Sequence, residues 1–292
     1  MAQTANIIVD ATNVAHIAKH AMRGMSYGEK GDTGTVFGFL VSVLSLHKRF
    51  GHDARFLFAW DSRGSLRRRD FPDYKQRRRE RATERTEQEE REDNSSRAQM
   101  MLLHKDVLPR IGFRNSYLYF GYEADDVTAA LAAQLAPPST IVSTDKDMFQ
   151  CLRPGVELLN PISKRVTTEG DFKKEWGLEP SDWATVLAIA GCDTDDVPGV
   201  EGVGLITAAK YLRGDLSDTA IARQRINKEL VLIERNRRLV TLPYGRLSNG
   251  ALPVKPRDEF DQAEAEAVFR EYGFESFLRD PLKTAWERLL VF

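Results

Sequence analysis

Three short apolar runs frame this chain, and each ends in an aspartate. Residues 6–9 (Asn-Ile-Ile-Val) run into Asp10, residues 55–60 (Arg-Phe-Leu-Phe-Ala-Trp) into Asp61, and residues 140–144 (Thr-Ile-Val-Ser-Thr) into Asp145. Runs this short, bounded by polar residues and rich in β-branched or aromatic side chains, read as buried strands. Segments of helical period lie between them. Residues 35–50 place Val36, Phe37, Leu40, Val43 and Leu44 at helical spacing, residues 102–111 are amphipathic, and residues 127–135 are alanine-rich up to Pro137-Pro138. Proline ends that helix because it lacks the amide donor and crowds the preceding turn. Residues 116–120 are aromatic and β-prone, and residues 156–159 and 165–168 read as edge strands. Strand-helix alternation predicts an α/β fold: a central, mainly parallel twisted sheet flanked by helices, with right-handed crossovers. From about Asp171 the pattern turns helical, through residues 183–190, 207–211 and 221–239. A stretch bearing Pro and Gly at 242–256 precedes a last helical piece at 262–278.

On a parallel sheet Asp10, Asp61 and Asp145 emerge at one carboxyl edge, where open α/β sheets place their ligands. Further carboxylates join them in Glu123-Ala124-Asp125-Asp126 and in Asp145-Lys146-Asp147. Glu123 and Asp126 are three apart and share a helix face. Two like charges about 4 Å apart repel by roughly 4 kcal/mol at an effective dielectric near 20, so several cannot all stay ionised without a cation among them. Oxygen-only ligands favour hard ions such as Mg²⁺ or Mn²⁺. A solvated acidic turn is the alternative for any one of these carboxylates taken alone. A second constellation, Gly191-Cys192-Asp193-Thr194-Asp195-Asp196, leads directly into Gly199, Gly202 and Gly204. That G-x-x-G-x-G spacing differs from the dinucleotide fingerprint and follows no clear strand. It reads as a tight hairpin between helices whose backbone amides can approach a phosphate, or else as an ordinary helix-helix turn.

Residues 63–97 are rich in Arg and Glu and poor in large apolar side chains. The first part is basic, with Arg67, Arg68, Arg69, Lys75, Arg77, Arg78, Arg79 and Arg81, and Tyr74 sets an aromatic ring beside Lys75. Proteins that track single-stranded nucleic acid use this pairing, whereas a salt-bridged solvated helix or a disordered linker would account for the charge run alone. The formal net charge of −1 over 292 residues hides this local imbalance. No apolar run is long enough to span a bilayer, and residues 1–6 carry no signal-peptide pattern. The two cysteines, Cys151 and Cys192, form no Cys-x-x-Cys pair, which points to a reducing compartment and a cytoplasmic location. His16 and His20 lie four apart, but no third residue is spaced to complete a zinc site with them. No P-loop motif occurs.

Taken together, Val9-Asp10-Ala11-Thr12-Asn13, Tyr122-Glu123-Ala124-Asp125-Asp126, Ser143-Thr144-Asp145-Lys146-Asp147 and the stretch from Gly191 to Gly204 resemble the 5′-nuclease (flap endonuclease) family. The likeness extends to stand-alone bacteriophage 5′-3′ exonucleases and the 5′-3′ exonuclease domain of bacterial DNA polymerase I. The resemblance implies metal ligands at Asp10, Asp61, Glu123, Asp125, Asp126, Asp145, Asp147, Asp193 and Asp196. It places an arch over residues 63–97, with Lys75 and Arg78 neutralising the reacting phosphate and Tyr74 stacking on an unpaired terminal base. Gly199, Gly202, Gly204, Thr207 and Lys210 fall in a helix-three-turn-helix at about 184–212 that grips duplex backbone, and Arg67, Arg68 and Arg77 add basic contacts to DNA. The expected division is a catalytic domain at 1–170 and a helical C-terminal region at 171–292. The expected cofactors are two or more Mg²⁺ or Mn²⁺ ions, with K⁺ at the glycine hairpin. The expected partners are DNA with a 5′ flap, a 5′ overhang or a free 5′ end, and the RNA of RNA–DNA hybrids; no membrane is involved and the chain acts as a monomer. This sequence departs from the family pattern at Ala11, where glycine is usual, at Ile17, where arginine is usual, and at Ile206, where lysine is common. The implied activity is structure-specific hydrolysis of DNA near 5′ ends or flap junctions in replication and repair. A PIN-like ribonuclease and a non-catalytic structure-specific DNA-binding protein are the alternatives.

Overall fold

The computed structural model describes residues 5–28, 31–51, 53–245, 247 and 251–290. Strand β1 (Asn6–Asp10) passes directly into helix α1 (Ala11–Ala21). A two-stranded ribbon follows, β2 (Ser26–Tyr27) with β3 (Gly31–Asp32), then α2 (Gly34–Phe50) and β4 (Arg55–Trp60). Residues 63–97 are not one charged helix or a structureless linker: they build α3 (Leu66–Asp70), α4 (Gln76–Thr83) and most of α5 (Glu87–Leu102). A π-helical turn, Leu103–Val107, joins α5 to α6 (Leu108–Ile111). Next come β5 (Ser116–Leu118), α7 (Ala124–Gln134), β6 (Ser139–Val142), β7 (Val156–Leu159) and β8 (Val166–Thr167). The rest is helical: α8 (Glu169–Trp176), α9 (Trp183–Ala190), α10 (Leu205–Arg213), α11 (Ile221–Lys228), α12 (Leu230–Val240), α13 (Gln262–Glu271) and α14 (Leu282–Leu290).

The main sheet has the order β5-β4-β1-β6-β7-β8. All of its neighbours pair in parallel except β7 with β8. The three strands with terminal aspartates are therefore adjacent and point the same way. Val9 pairs with both Phe58 and Val142, so the strand ends fall at nearly one level. Alternation along each strand divides the core. Ile8, Leu57 and Ile141 face one side and pack with Leu131 of α7 and Trp183 of α9. Ile7, Val9, Phe56, Phe58 and Trp60 face the other, against α1, α2, α6, α13 and α14. Both faces are covered, as an all-apolar parallel strand requires. Among the described residues, no helix is long and apolar enough to cross a membrane.

The helices after residue 171 divide between the two faces, with α13 and α14 returning to the first half of the chain. The segment leading into α13 ties them there. Tyr117 Oη donates to the Pro253 carbonyl (3.1 Å), Lys255 N to Asn115 Oδ1 (2.8 Å), Arg114 N to Asp258 Oδ1 (2.9 Å) and Glu259 N to the Gly112 carbonyl (2.9 Å). Gly112 has φ of 113°, and a Cβ there would collide with the Glu259 carbonyl oxygen. Gly112→Ala should lower the urea midpoint by an amount equivalent to more than about 1 kcal/mol. An unchanged midpoint would mean this strap yields freely.

Candidate active site

The site is built where β4, β1 and β6 run out. Asp10 caps α1, accepting from Asn13 N (3.0 Å), and takes a second hydrogen bond from Ser143 Oγ (2.9 Å). Its side chain is buried, and burial pushes its carboxyl up to about 7, with Asp61 and Asp145 adding to the rise. Asp61 Oδ1 accepts from Ala124 N (2.7 Å), which links the end of β4 to the start of α7, while Asp61 N donates to Thr12 Oγ1 (2.8 Å). Asp145 Oδ1 accepts from Asp147 N (2.8 Å). Asn13 and Thr144 clasp the two strand ends from either side, Nδ2 to Oγ1 at 2.8 Å and the Thr144 amide to Oδ1 at 3.1 Å.

The helix expected at 127–135 starts earlier, at Ala124, because Glu123 and Asp126 form a reciprocal capping box. That brings Asp125 into the first turn and into the cluster. Burial raises its carboxyl well above the usual range, with Asp10, Asp145 and Asp61 contributing in that order. Asp61 and Asp145 are raised for the same leading reason, and Asp147 is pushed up to about 7 by burial, then by Asp145 and Asp195. Repulsion from neighbouring carboxylates thus reaches all five aspartates, from Glu123 at Asp61 and from Asp195 and Glu123 at Asp145.

Positive charge enters from the segment between α3 and α4. Lys75 takes a left-handed backbone conformation (φ 55°) at the start of α4 and donates Nζ to Glu123 Oε2 (2.8 Å). The same ammonium lies 3.7 Å from Asp195 Oδ1, and Lys75 N donates to the Asp195 carbonyl (2.9 Å). Burial alone would raise the Glu123 carboxyl, but Lys75 and Arg67 outweigh it and hold the group below its ordinary range. Arg78 is exposed and reaches within 3.7 Å of Asp195 Oδ1.

Six of the expected site residues are placed otherwise by the structure. Asp126 is fully buried and held by both terminal nitrogens of Arg67 at 2.7 Å each, so neither side chain is available as metal ligand or DNA contact. Tyr74 is only 5% exposed, and its hydroxyl lies 2.9 Å from Glu123 Oε2 and 3.2 Å from Asp195 Oδ2. It props the carboxylates and offers no face for stacking on a base. Asp193 projects into solvent, and Asp196 is engaged by Arg77 through its backbone amide (2.9 Å) and its Nε. Arg77 is thereby tied to the acidic turn, with Nη2 on the Asp193 carbonyl (2.8 Å). Asp195, between Asp193 and Asp196, is the residue that faces Lys75, Asp145 and Asp147, and sequence reasoning passed over it. The signal is structural: a bridge between Cys192 and Val197 and a left-handed Asp196 (φ 56°) decide which carboxylate turns inward. Cys192 borders the same group; burial raises its thiol, and Asp195 and Asp147 add to the effect. Thr12, Asn13, Ser143 and Thr144 were also unassigned, although each flanks a strand-end aspartate.

The glycine turn packs on the end of α9. Val200 N donates to the Ile189 carbonyl (2.8 Å), and a Cβ on Gly199 would strike the Ala190 carbonyl oxygen. Gly202 needs its positive φ (73°), and Gly204 begins α10. Asn236 of α12 locks the turn from behind, donating Nδ2 to the carbonyls of Ala188 (3.0 Å) and Pro198 (2.7 Å). Gly202, Gly204 and Lys210 are left exposed at the rim, with Thr207 half-buried, and Arg68 is exposed on α3.

A divalent cation suits this donor set in kind: oxygen ligands, Asp10 buried and most of the others half-buried, whose negative charges lack enough counter-charge from Lys75 alone. Among the described residues, no three acidic, histidine or cysteine side chains already converge on one point. The carboxylates would have to draw together around an ion.

The 5′-3′ exonuclease N-terminal resolvase-like domain matches residues 5–177. A thermostable DNA polymerase I from Thermus thermophilus is 28% identical over 77% of this chain, which spans about a quarter of that protein (26%). A 5′-3′ exonuclease of Buchnera aphidicola subsp. Schizaphis graminum is 24% identical, covering 85% of this chain and 80% of its own length. A bacteriophage T5 flap endonuclease, solved as a pseudo-enzyme-product complex with DNA and metal ions, superposes with a TM-score of 0.66 at 21% identity and 98% coverage of both chains. That last likeness is one of fold.

The raised carboxylates carry a pH dependence of known sign. A group with a higher pKa in the folded than in the unfolded chain stabilises fully below its unfolded value, and that contribution is lost as pH rises through the folded one. With chelator present, Asp10 and Asp147 should therefore cost the protein thermal stability as pH rises from about 4 to about 7. Asp10→Asn should flatten part of that fall in melting temperature; a variant profile parallel to the parent's would detach the cluster from the effect.

Proposed function

Because the chain belongs to the 5′-3′ exonuclease family and is thereby a 5′-nuclease, we propose that it hydrolyses DNA phosphodiesters near 5′ ends or flap junctions at the cleft formed by Asp10, Asp61, Asp125 and Asp145. The observation that carries this reading is the convergence of three adjacent parallel strands on one acidic edge, with Lys75 and Arg78 leaning over it. Asp10, Asp61, Glu123, Asp125, Asp145, Asp147 and Asp195 are the residues proposed to hold divalent cations, Mg²⁺ or Mn²⁺ by ligand chemistry. Bound there, such ions supply an activated water and stabilise charge on the leaving oxygen. The metal ions in the T5 complex support the choice of cofactor class.

The chain's own residues do the rest. Lys75 now neutralises Glu123 and Asp195; a scissile phosphate entering the cleft would meet that ammonium and the Arg78 guanidinium, both placed to offset charge that grows in the transition state. The Tyr74 ring lies under the Lys75 ammonium, 4.8 Å from ring centroid to Nζ, and helps hold it there. The turn from Gly199 to Gly204 with Thr207 and Lys210 is proposed as the helix-three-turn-helix that grips duplex backbone, and K⁺ at that turn is part of the same proposal. The working division is residues 1–170 for the sheet edge and arch and 171–292 for duplex binding, except that Asp195 reaches back into the cleft and α13 and α14 pack on the first part. The proposed setting is a cytoplasmic monomer acting on DNA in replication and repair, with the RNA of RNA–DNA hybrids as a second substrate. A PIN-like ribonuclease would use the acidic edge but leave the braced glycine turn without a purpose.

Asp145→Asn should abolish cleavage of a 5′-flap duplex and keep binding to it, read by gel shift in Ca²⁺; cutting at the parent rate would remove Asp145 from the site. Within the acidic turn the structure separates neighbours. Asp195→Asn should slow single-turnover cleavage by about tenfold or more, the scale of losing a group that shapes a metal site, whereas Asp193→Asn should cut as the parent does. The reverse order would contradict the inward placement of Asp195.

A further inference from the structure

Arg67 joins three parts of the chain that the proposed reaction needs in register. It lies in α3, at the base of the arch, and is only 4% exposed. Its terminal nitrogens grip Asp126 of α7, and its Nε donates to the carbonyl of Leu239, near the end of α12 (2.9 Å). Its guanidinium stacks over the Tyr244 ring, 4.9 Å from the centroid. Asp126 repeats the connection from its own side, accepting from Tyr244 N (2.8 Å) and Glu123 N (3.1 Å). Arg67 Nη1 also stands 3.6 Å from Glu123 Oε2. All three kinds of guanidinium nitrogen are thus used, in a planar fork that lysine cannot reproduce.

We infer that Arg67 is a positioning residue that fixes the first turn of α7, and with it Glu123 and Asp125, relative to α12 and the glycine turn braced by Asn236. The inference rests on the nuclease reading above and assigns Arg67 no contact with substrate. A path of direct contacts carries it: glycine turn to Asn236, α12 to Leu239, Leu239 to Arg67, Arg67 to Asp126, Asp126 to Glu123. Duplex held at the turn would then lie at a set distance and angle from the carboxylates. Small misplacements matter in such a site: an error near 1 Å can cost about a hundredfold in rate.

The test compares the parent, Arg67→Lys, and the double variant Arg67→Met with Asp126→Leu. Apolar pairs of similar volume often restore the stability lost when a buried ion pair is broken. Each protein is read for melting temperature, for binding of a 5′-flap duplex in Ca²⁺, for single-turnover cleavage at saturating DNA in Mg²⁺, and for the Mn²⁺ concentration at half of the ion-induced rise in melting temperature. Arg67→Lys should bind DNA as the parent does, lose about tenfold or more in cleavage rate, and need more Mn²⁺ for its thermal shift. The double variant should recover melting temperature without recovering rate. A folded Arg67→Lys protein that cuts at the parent rate, or a double variant that regains rate together with stability, would reduce Arg67 to a packing role and overturn the inference. Should the parent itself fail to cut DNA, the nuclease reading falls, and the Mn²⁺ midpoints alone decide whether Arg67 positions the carboxylates.

Discussion

Repulsion among carboxylates gathered at one sheet edge is the constraint on which the rest of this structure depends. Two such charges about 4 Å apart cost roughly 4 kcal/mol at an effective dielectric near 20. Here Asp10, Asp61, Asp125, Asp145 and Asp147 are all displaced toward the protonated form, first by desolvation and then by neighbouring carboxylates, Glu123 and Asp195 among them. A fold tolerates this arrangement only if the backbone holds it. Parallel pairing of β1 with β4 and β6 does so, because each strand is buried on both faces and cannot slip without exposing its apolar side chains. Ser143, Asn13 and the Ala124 amide then pin individual carboxylate oxygens and strand ends.

The surrounding elements answer the same charge. The arch inserts Lys75, whose left-handed backbone aims its side chain inward, and Tyr74 braces it from beneath. The acidic turn before the glycine hairpin returns one carboxylate, Asp195, to meet that lysine, and gives Asp196 to Arg77 on the rim. Arch, hairpin and sheet edge are therefore bound to one another through ion pairs centred on the cleft. A phosphodiester brings negative charge into a place where Lys75 and Arg78 are already poised, and a divalent cation would relieve the carboxylates beneath.

Local pattern made much of this readable. The apolar runs ending in Asp10, Asp61 and Asp145 carry their strand identity in a few consecutive residues, and parallel topology follows from the helical segments between them. Helix α1 was less visible because its buried positions, Val14, Ala15 and Ala18, are small and its cap is a residue already assigned to the site, Asp10. Other features were hidden because they depend on contacts distant in sequence. The Arg67–Asp126 pair spans 59 residues, and without it both side chains read as free charges in charged motifs. The burial of Tyr74 depends on Glu123 and Asp195 arriving from separate elements. The choice among Asp193, Asp195 and Asp196 is made by backbone geometry around a single bridge, which composition and spacing do not encode.

The central claim is that this acidic edge cuts DNA at 5′ structures when a divalent cation is present. The most direct measurement follows a 5′-flap duplex labelled at either end, in Mg²⁺ and in EDTA, beside an RNA strand of the same sequence. The account predicts cutting near the flap junction or from the 5′ end in Mg²⁺ and none in EDTA. Binding without cutting in Mg²⁺, or cutting of the RNA alone, would contradict it.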